Sequence, residues 1–352
     1  MTKPRQLIIN RNEILQGPSP RCLTVLRACK KETLCRYEEG SYASRLVPHL
    51  SKKFKLPEKQ IIVSYGAEDF LRFAFNQLRA GDAILTSDPC YGYYKNYATF
   101  RGLQLITFHI KESRNAFAFD VKNCLQQCAK KKPKLVIIAS PNNPTGNCLS
   151  ANDAKKILNA TDKKTLVILD EAYEGFHNAY DERALLALLA QHSNLVLLRT
   201  FSKRYALAGL RIGYALCGEN VKTMLNYQAP YLGMSRLIED VGLAALASTK
   251  YYDKIRREIM KTRDELIKKI NTLKHFHAFA SHANFVAIRV DQLTIKTVEK
   301  LLAKIPVLPA KFVSPELLRV SIGLPAHMHA FAEALMRLSN PEQQKTYHNS
   351  RS

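Results

Sequence analysis

The chain has 352 residues, 46% of them hydrophobic, which is enough to bury a sizeable core and excludes wholesale disorder. Lysine and arginine number 53 against 30 acidic residues, a formal charge of +23 that points to anionic ligands or loose contact with polyanions and is silent on fold. No apolar run approaches a membrane span, "MTKPRQLIINRNE" lacks a secretory pattern, and the eight cysteines form no CxxC pair, so a cytoplasmic protein with unpaired thiols and no metal is expected.

In chain order, "IIVSYG" (61–66) is the first clear strand, followed by the helical "AEDFLRFAFNQLR". "AILTSD" (83–88) precedes "YGYYKNYATFRG", and "QLITFHI" reads as a further strand. "KLVIIAS" (134–140), "TLVILD" (165–170) and "LVLLRT" (195–200) are near-continuously apolar. Such strands, separated by helical stretches, predict an α/β fold with a largely parallel sheet covered on both faces. After Tyr214 the pattern changes. A helical region runs from about Ser235 to Leu273, then come "ANFVAIRV" (283–290), a helix around 294–304, "LLRVSIG" (317–323) and the closing helix "AHMHAFAEALMRLS". This predicts a smaller α+β domain joined by a long helix. The expected boundaries are 1–40 for an N-terminal segment on the small domain or a partner, 41–235 for the large domain, 236–340 for the connecting helix and small domain, and 341–352 for a polar tail.

The basic clusters "KKFKLPEK", "KKKPK" and "RREIMKTRDELIKK" come without a nucleic-acid-binding signature. The last carries Ile255, Ile259, Leu266, Ile270 and Leu273 near helical spacing, so its charges read as a solvated helix face. A non-catalytic cofactor-sensing or nucleic-acid-binding protein is the reading from another class. It calls for an appended helix-turn-helix domain, which is not expected ahead of residue 17.

Ligands of open parallel sheets bind at the carboxyl ends of the strands. Three predicted strands end in polar groups there: Ser140 leading into "PNNPTG", Asp170 into "EAY", and Thr200 into "FSK". A lysine such as Lys203 forms a Schiff base with a carbonyl when its pKa is lowered or an aldehyde is held beside it, although a Ser-Lys pair alone is commonplace. Arg211 offers a fixed guanidinium for a phosphate, and Ser202 with Thr200 offers hydroxyls. "SYGAED" (64–69) leaves the N–H groups of Ala67 and Glu68 free for an anion at a helix start; the plainer reading is an ordinary strand-to-helix turn. Asp170 ends an apolar strand, and a buried carboxylate needs a partner. A protonated pyridine nitrogen would suit it, and a helix cap is the alternative. Asn143 and Tyr173 offer donors for a phenolic oxygen. Tyr91 in "DPCYGYY" could stack on a ring, or simply be core.

"GPSPR" (17–21), "RYEEGSYASRL" (36–46), "PNNPTGN", "LDEAYEGF", "TFSKRYALAGLRIGY" and "LLRVSIG" together resemble the fold-type I pyridoxal-phosphate enzymes of the class I/II aminotransferase group, nearest to the histidinol-phosphate aminotransferases. The resemblance implies a large domain with a mostly parallel seven-stranded sheet sandwiched by helices, plus a smaller α+β domain. It implies pyridoxal 5'-phosphate as cofactor, in a covalent aldimine on Lys203, which is also the general base. Asp170 would hold the pyridine nitrogen, Asn143 and Tyr173 the ring oxygen, and Tyr91 would stack. Ala67, Glu68, Thr200, Ser202 and Arg211 would hold the phosphate, joined by Tyr37 from the neighbouring subunit of a homodimer. Arg319, with Asn143, would grip the substrate carboxylate of a small amino donor or 2-oxo acid acceptor. The sequence departs from the family at Gln16, where a tyrosine is usual, and at Pro309, where an arginine helps bind the substrate phosphate; Lys311 is a candidate replacement. A decarboxylase of the threonine-phosphate type, or a carbon–sulfur lyase, is the rival chemistry.

Overall fold

A computed structural model describes residues 7–37, 43–177, 181–291, 295–305, 307–308 and 310–339. The 341–352 tail, Pro309 and the middle of "RYEEGSYASRL" therefore lie outside the described residues. The chain enters through β1 (Leu7–Ile8) and then builds the large sheet. Its strands are β2 (Ile61–Ser64), β3 (Ala83–Asp88), β4 (Gln104–Glu112), β5 (Phe117–Phe119), β6 (Leu135–Ala139), β7 (Leu166–Asp170), β8 (Leu195–Thr200) and β9 (Gly213–Cys217), in the order β2-β9-β8-β7-β6-β3-β4-β5. Six of these strands are the ones read in the sequence, β9 brings the count to the seven that the resemblance implies, and short β5 folds back antiparallel on β4 to add an eighth. The run β8-β7-β6-β3-β4 is parallel, whereas β9 is antiparallel to both of its neighbours.

Strand alternation divides the core between the two faces of this sheet. Val136, Ile138, Val167, Leu169, Leu195 and Leu197 join one buried cluster, while Leu135, Ile137, Leu166, Ile168, Val196 and Leu198 join the other. Both faces are apolar because helices cover both, as expected of a parallel sheet. A second sheet holds β10 (Phe276–Ala278) and β11 (Phe285–Val290). β12 (Val307–Leu308) pairs with β1, and β13 (Ala310–Ser314) and β14 (Leu317–Ser321) complete the second sheet in the order β10-β11-β14-β13. Its core takes Ile255, Ile259, Leu266 and Ile270 from one helix and Phe331 and Leu335 from the last, and it also takes in Tyr173 and Phe176 from the large-sheet side. Site residues thus stand where the two cores meet.

The helical region expected from about Ser235 to Leu273 is two helices, Arg236–Leu246 and Thr249–Ile270. The break falls at Ser248, whose hydroxyl turns back onto the Ala244 carbonyl (2.7 Å) and also accepts from Ser19 Oγ (2.9 Å). A serine bonding to its own backbone competes with helix continuation. The apolar stripe of the second helix is buried as its spacing predicts, but Arg263 is buried too, donating to the carbonyls of Phe176 (2.7 Å) and Ala283 (3.1 Å). Among the described residues no helix is long and apolar enough to cross a membrane.

Candidate active site

The parallel register pairs Ala139 with Asp170 and Asp170 with Leu198, so the carboxyl ends of β6, β7 and β8 lie side by side. The loops that leave them carry Asn143, Tyr173 and Lys203. Asp170 is buried, and burial pushes its carboxyl above the ordinary range. Two donors oppose that shift: Tyr94 Oη at 2.6 Å from Oδ2, and the Ala172 N–H at 3.1 Å from Oδ1. The expected helix-cap alternative is thus partly real, since Asp170 takes one N–H of the turn after it. Each carboxylate oxygen can accept a further hydrogen bond, which is the capacity a cationic partner would use.

Lys203 Nζ donates to the Arg11 carbonyl (2.6 Å) and lies 5.7 Å from the Tyr173 ring centre. Burial first, and then the Arg319 guanidinium, lower its pKa from 10.5 to about 8, with Glu13 and Glu68 partly opposing. Tyr173 Oη accepts from Asn12 Nδ2 (2.9 Å) and Asn143 Nδ2 (3.3 Å), and its ring packs edge-on against Phe285. Asn143 Oδ1 in turn accepts from Arg319 Nη1 (2.7 Å). Arg319 Nη2 donates to the Asn10 carbonyl, and its buried Nε has no hydrogen-bond partner among the described residues.

The anion end is built around glycine. Gly66, at φ 86°, caps the helix Ala67–Asn76, and a Cβ there would sit 2.8 Å from Arg211 Nη2. A Cβ on Gly213 would sit 2.5 Å from the Gly66 carbonyl carbon and 2.6 Å from the Ala67 nitrogen. Only glycine at both positions lets β2, β9 and the Arg211 side chain close around the free N–H groups at this helix start. Arg211, itself left-handed at φ 55°, donates to Ser202 Oγ (3.4 Å) and to the Ala208 carbonyl (3.1 Å). Thr200 Oγ1 donates to Ser202 Oγ (3.0 Å) and accepts from the Ser202 N–H (3.1 Å). Glu68 brings more than its N–H. Its carboxylate lies 3.7 Å from Arg211 and accepts from Tyr91 Oη (2.7 Å). Tyr91 is edge-on to Tyr94, with ring centres 5.6 Å apart.

The structure therefore gathers Ala67, Glu68, Tyr91, Asn143, Asp170, Tyr173, Thr200, Ser202, Lys203, Arg211 and Arg319 around one cleft. It does not bring Tyr37 there: that side chain is 74% exposed, and no described hydrogen bond or ring contact of the site includes it. Gln16 points elsewhere, donating to Glu258 Oε1 (3.1 Å). Lys311 is exposed and sits directly opposite Arg319 across β13 and β14. Sequence reasoning missed Tyr94, Asn12 and Asn10 as parts of the site, and although it marked the glycine of "SYGAED" and the glycine beside Arg211, it did not show how closely Gly66 and Gly213 let the backbone and Arg211 approach.

A family model for aminotransferase class I and II matches residues 6–335. Histidinol-phosphate aminotransferase 2 of Archaeoglobus fulgidus is 33% identical over 280 residues, 79% of this chain and 76% of that protein. Histidinol-phosphate aminotransferase of Staphylococcus epidermidis is 30% identical over 325 residues, 92% and 89% of the two chains. The crystal structure of histidinol-phosphate aminotransferase from Sinorhizobium meliloti in complex with pyridoxal-5'-phosphate is similar with a TM-score of 0.80 at 25% identity, covering 97% of this chain and 91% of that one. The donor set of the cleft fits such a group: an anion cradle that a Gly66 Cβ would fill, a buried carboxylate whose two oxygens each accept one hydrogen bond and can accept another, and an amine of lowered pKa.

Proposed function

Because the chain belongs to the class I and II aminotransferases and is a pyridoxal-phosphate-dependent enzyme, we propose that it passes the amino group of a small anionic donor, an amino acid or amino phosphate, to a 2-oxo acid. The observation that carries the donor class is the chain of contacts from Arg319 through Asn143 to Tyr173, with the Lys203 amine 5.7 Å from that tyrosine ring. An anion receptor and a proton carrier then share one wall of the cleft.

When bound, pyridoxal phosphate supplies a carbonyl that captures amines and a ring that draws electrons from the carbon bearing them. In this reading Arg211, Ser202, Thr200 and the N–H groups of Ala67 and Glu68 bind its phosphate. Asp170, kept able to ionise by Tyr94 and Ala172, holds a proton on the ring nitrogen. Asn143 and Tyr173 would hold its phenolic oxygen, and Tyr91 would pack against the ring. Lys203 Nζ, its pKa lowered to about 8 by burial and Arg319, would be neutral often enough to hold the cofactor's carbonyl end and to accept a proton at Nζ from the donor. Arg319 presents its fork to the donor's carboxylate or phosphate. Lys311, its cross-strand partner, adds a second cation on the same face of the sheet.

Residues 41–235 would form the cofactor-binding domain of a cytoplasmic homodimer, with exposed Tyr37 facing the second copy. The test is a single-turnover absorbance assay with glutamate, histidinol phosphate, phosphothreonine and aromatic amino acids as donors. Appearance of pyridoxamine phosphate supports the proposal and names the donor class. Release of carbon dioxide or pyruvate without it would move the protein to decarboxylase or lyase chemistry.

A further inference from the structure

Cys148, His177 and His282 come from three different turns, yet one ligand atom from each lies within 4.8 Å of the other two. Each turn also serves the cleft. Cys148 follows the loop carrying Asn143, and His177 lies four residues past Tyr173. His282 precedes Asn284, which donates to the Asn12 carbonyl (2.9 Å), and Phe285, which packs on Tyr173. Two of the three turns leave the large sheet, and the third enters β11 of the small one. The His282 N–H donates to the Gly146 carbonyl (2.8 Å), which fixes the two sides at this point.

The distances suit a metal. Zinc bonds of about 2.0–2.1 Å to nitrogen and about 2.3 Å to sulfur, in tetrahedral array, put ligand atoms roughly 3.3–3.6 Å apart. Cys148 Sγ and His177 Nε2 are 3.6 Å apart, and the two imidazole rings are 4.9 Å apart at 65°. The two edges to His282 lie within 4.8 Å, and a small shift of that ring toward the other two ligands would be needed to complete the triangle. His177 is buried and its pKa is lowered to about 4, first by burial, so its ring is the neutral form that coordinates. Charges of both signs surround the cluster: Arg263 near all three groups and Arg256 near His177, against Glu171, Glu174 and Asp264. Arg263 is already committed to two carbonyls. One thiolate and two imidazoles form a borderline-soft set that selects zinc over magnesium or calcium.

We propose that Cys148, His177 and His282 form a three-ligand site for a zinc-type divalent ion, a clamp between the loops of the large sheet and the entry to the small one. As the Sγ–metal bond forms, the thiol proton leaves to solvent, and water takes the fourth position. This site does not rest on the aminotransferase reading. Occupancy would stiffen the two turns that carry Asn143 and Tyr173.

The test uses chelator-dialysed holoenzyme titrated with Co2+, whose tetrahedral thiolate complexes give visible bands to the red of the cofactor. The expected result is a tetrahedral Co2+ spectrum, its displacement by Zn2+, and a rise in melting temperature with Zn2+. Cys148→Ser and His282→Gln should each weaken Co2+ binding at least about tenfold, because even groups one shell removed from a metal change affinity 10–100-fold. Retention of the cofactor absorbance band in both variants checks that they fold. No tetrahedral spectrum in the wild type, or one that persists in either variant, overturns the proposal.

Discussion

Tyr94→Phe removes one oxygen from the interior and isolates the role of its bond to Asp170. Tyr94 is fully buried, and its Oη donates to Asp170 Oδ2 at 2.6 Å, the short distance of a charge-assisted bond. Phenylalanine keeps the ring and its packing, so the loss is that bond to a buried carboxylate, about 1.5–3 kcal/mol. The sign of its pH dependence follows from Asp170, whose folded pKa is already raised by burial. A carboxyl that binds protons more readily folded than unfolded gives a fold that gains stability as pH falls through its folded pKa. Without the phenol the carboxylate is harder to keep charged, so the variant's deficit is full above that pKa and closes as the acid becomes neutral. The assay is urea unfolding of cofactor-free wild type and variant, followed by far-ultraviolet circular dichroism, at pH values from above to below the point where Asp170 of the folded protein becomes neutral. A deficit that does not shrink as Asp170 becomes neutral, or one below about 0.5 kcal/mol, would refute the reasoning, because the phenol would then be packing only.

Gly66→Ala places a methyl group 2.8 Å from Arg211 Nη2 at a left-handed φ of 86°, so the guanidinium must leave the anion cradle. Equilibrium titration should show pyridoxal-phosphate affinity about 10–100-fold weaker, the loss of one charged hydrogen bond, with the circular dichroism spectrum unchanged. Capture of pyridoxal phosphate by cofactor-free protein needs the neutral Lys203 amine, so its rate should rise with pH through a midpoint at about 8. Arg319→Gln removes a like charge and should move that midpoint upward in stopped-flow absorbance; an unmoved midpoint would contradict the stated cause. Glu171→Gln breaks a buried pair with Arg199, whose Nε lies 2.8 Å from the carboxylate. Thermal unfolding should report a loss of about 3 kcal/mol, at the lower end for buried pairs because half-exposed Glu182 still holds Arg199 Nη1.

The parallel sheet and its ligand-binding edge were legible because β6, β7 and β8 are apolar on both faces and then stop at polar residues. Register alone brings those ends together, so Asn143, Asp170 and Lys203 could be named without coordinates. β9 was not read as a strand, since "YALC" follows directly on the Arg211 turn and carries no alternation to mark it. Tyr94 was hidden among the tyrosines of "YGYYKNY": a burial pattern names no hydrogen-bond partner, and Asp170 is 76 positions away. Asn12 was hidden for the same reason, reaching Tyr173 across 161 positions. Arg199 was read within the strand "LVLLRT", but its burial was not legible: as the next-to-last residue of β8 it is 1% exposed, because Glu171 and Glu182 meet it there. The Glu68 side chain lay beyond prediction, since a helix start advertises its N–H groups and says nothing of a carboxylate folding back on Arg211. Tyr37 was read from resemblance alone, and a single chain leaves it at the surface.

The central claim is that Lys203 Nζ is the amine that captures the cofactor and carries the donor's proton. The direct measurement is the absorbance spectrum of pyridoxal-phosphate-loaded wild type and Lys203→Ala, before and after borohydride reduction, with mass mapping of the modified peptide. A lysine-bound cofactor band is expected in the wild type, with reduction fixing the cofactor mass on Lys203, and neither is expected in the variant. The same band and a cofactor mass on another lysine, or a Lys203→Ala variant that still converts donor to pyridoxamine phosphate at the wild-type rate, would contradict it.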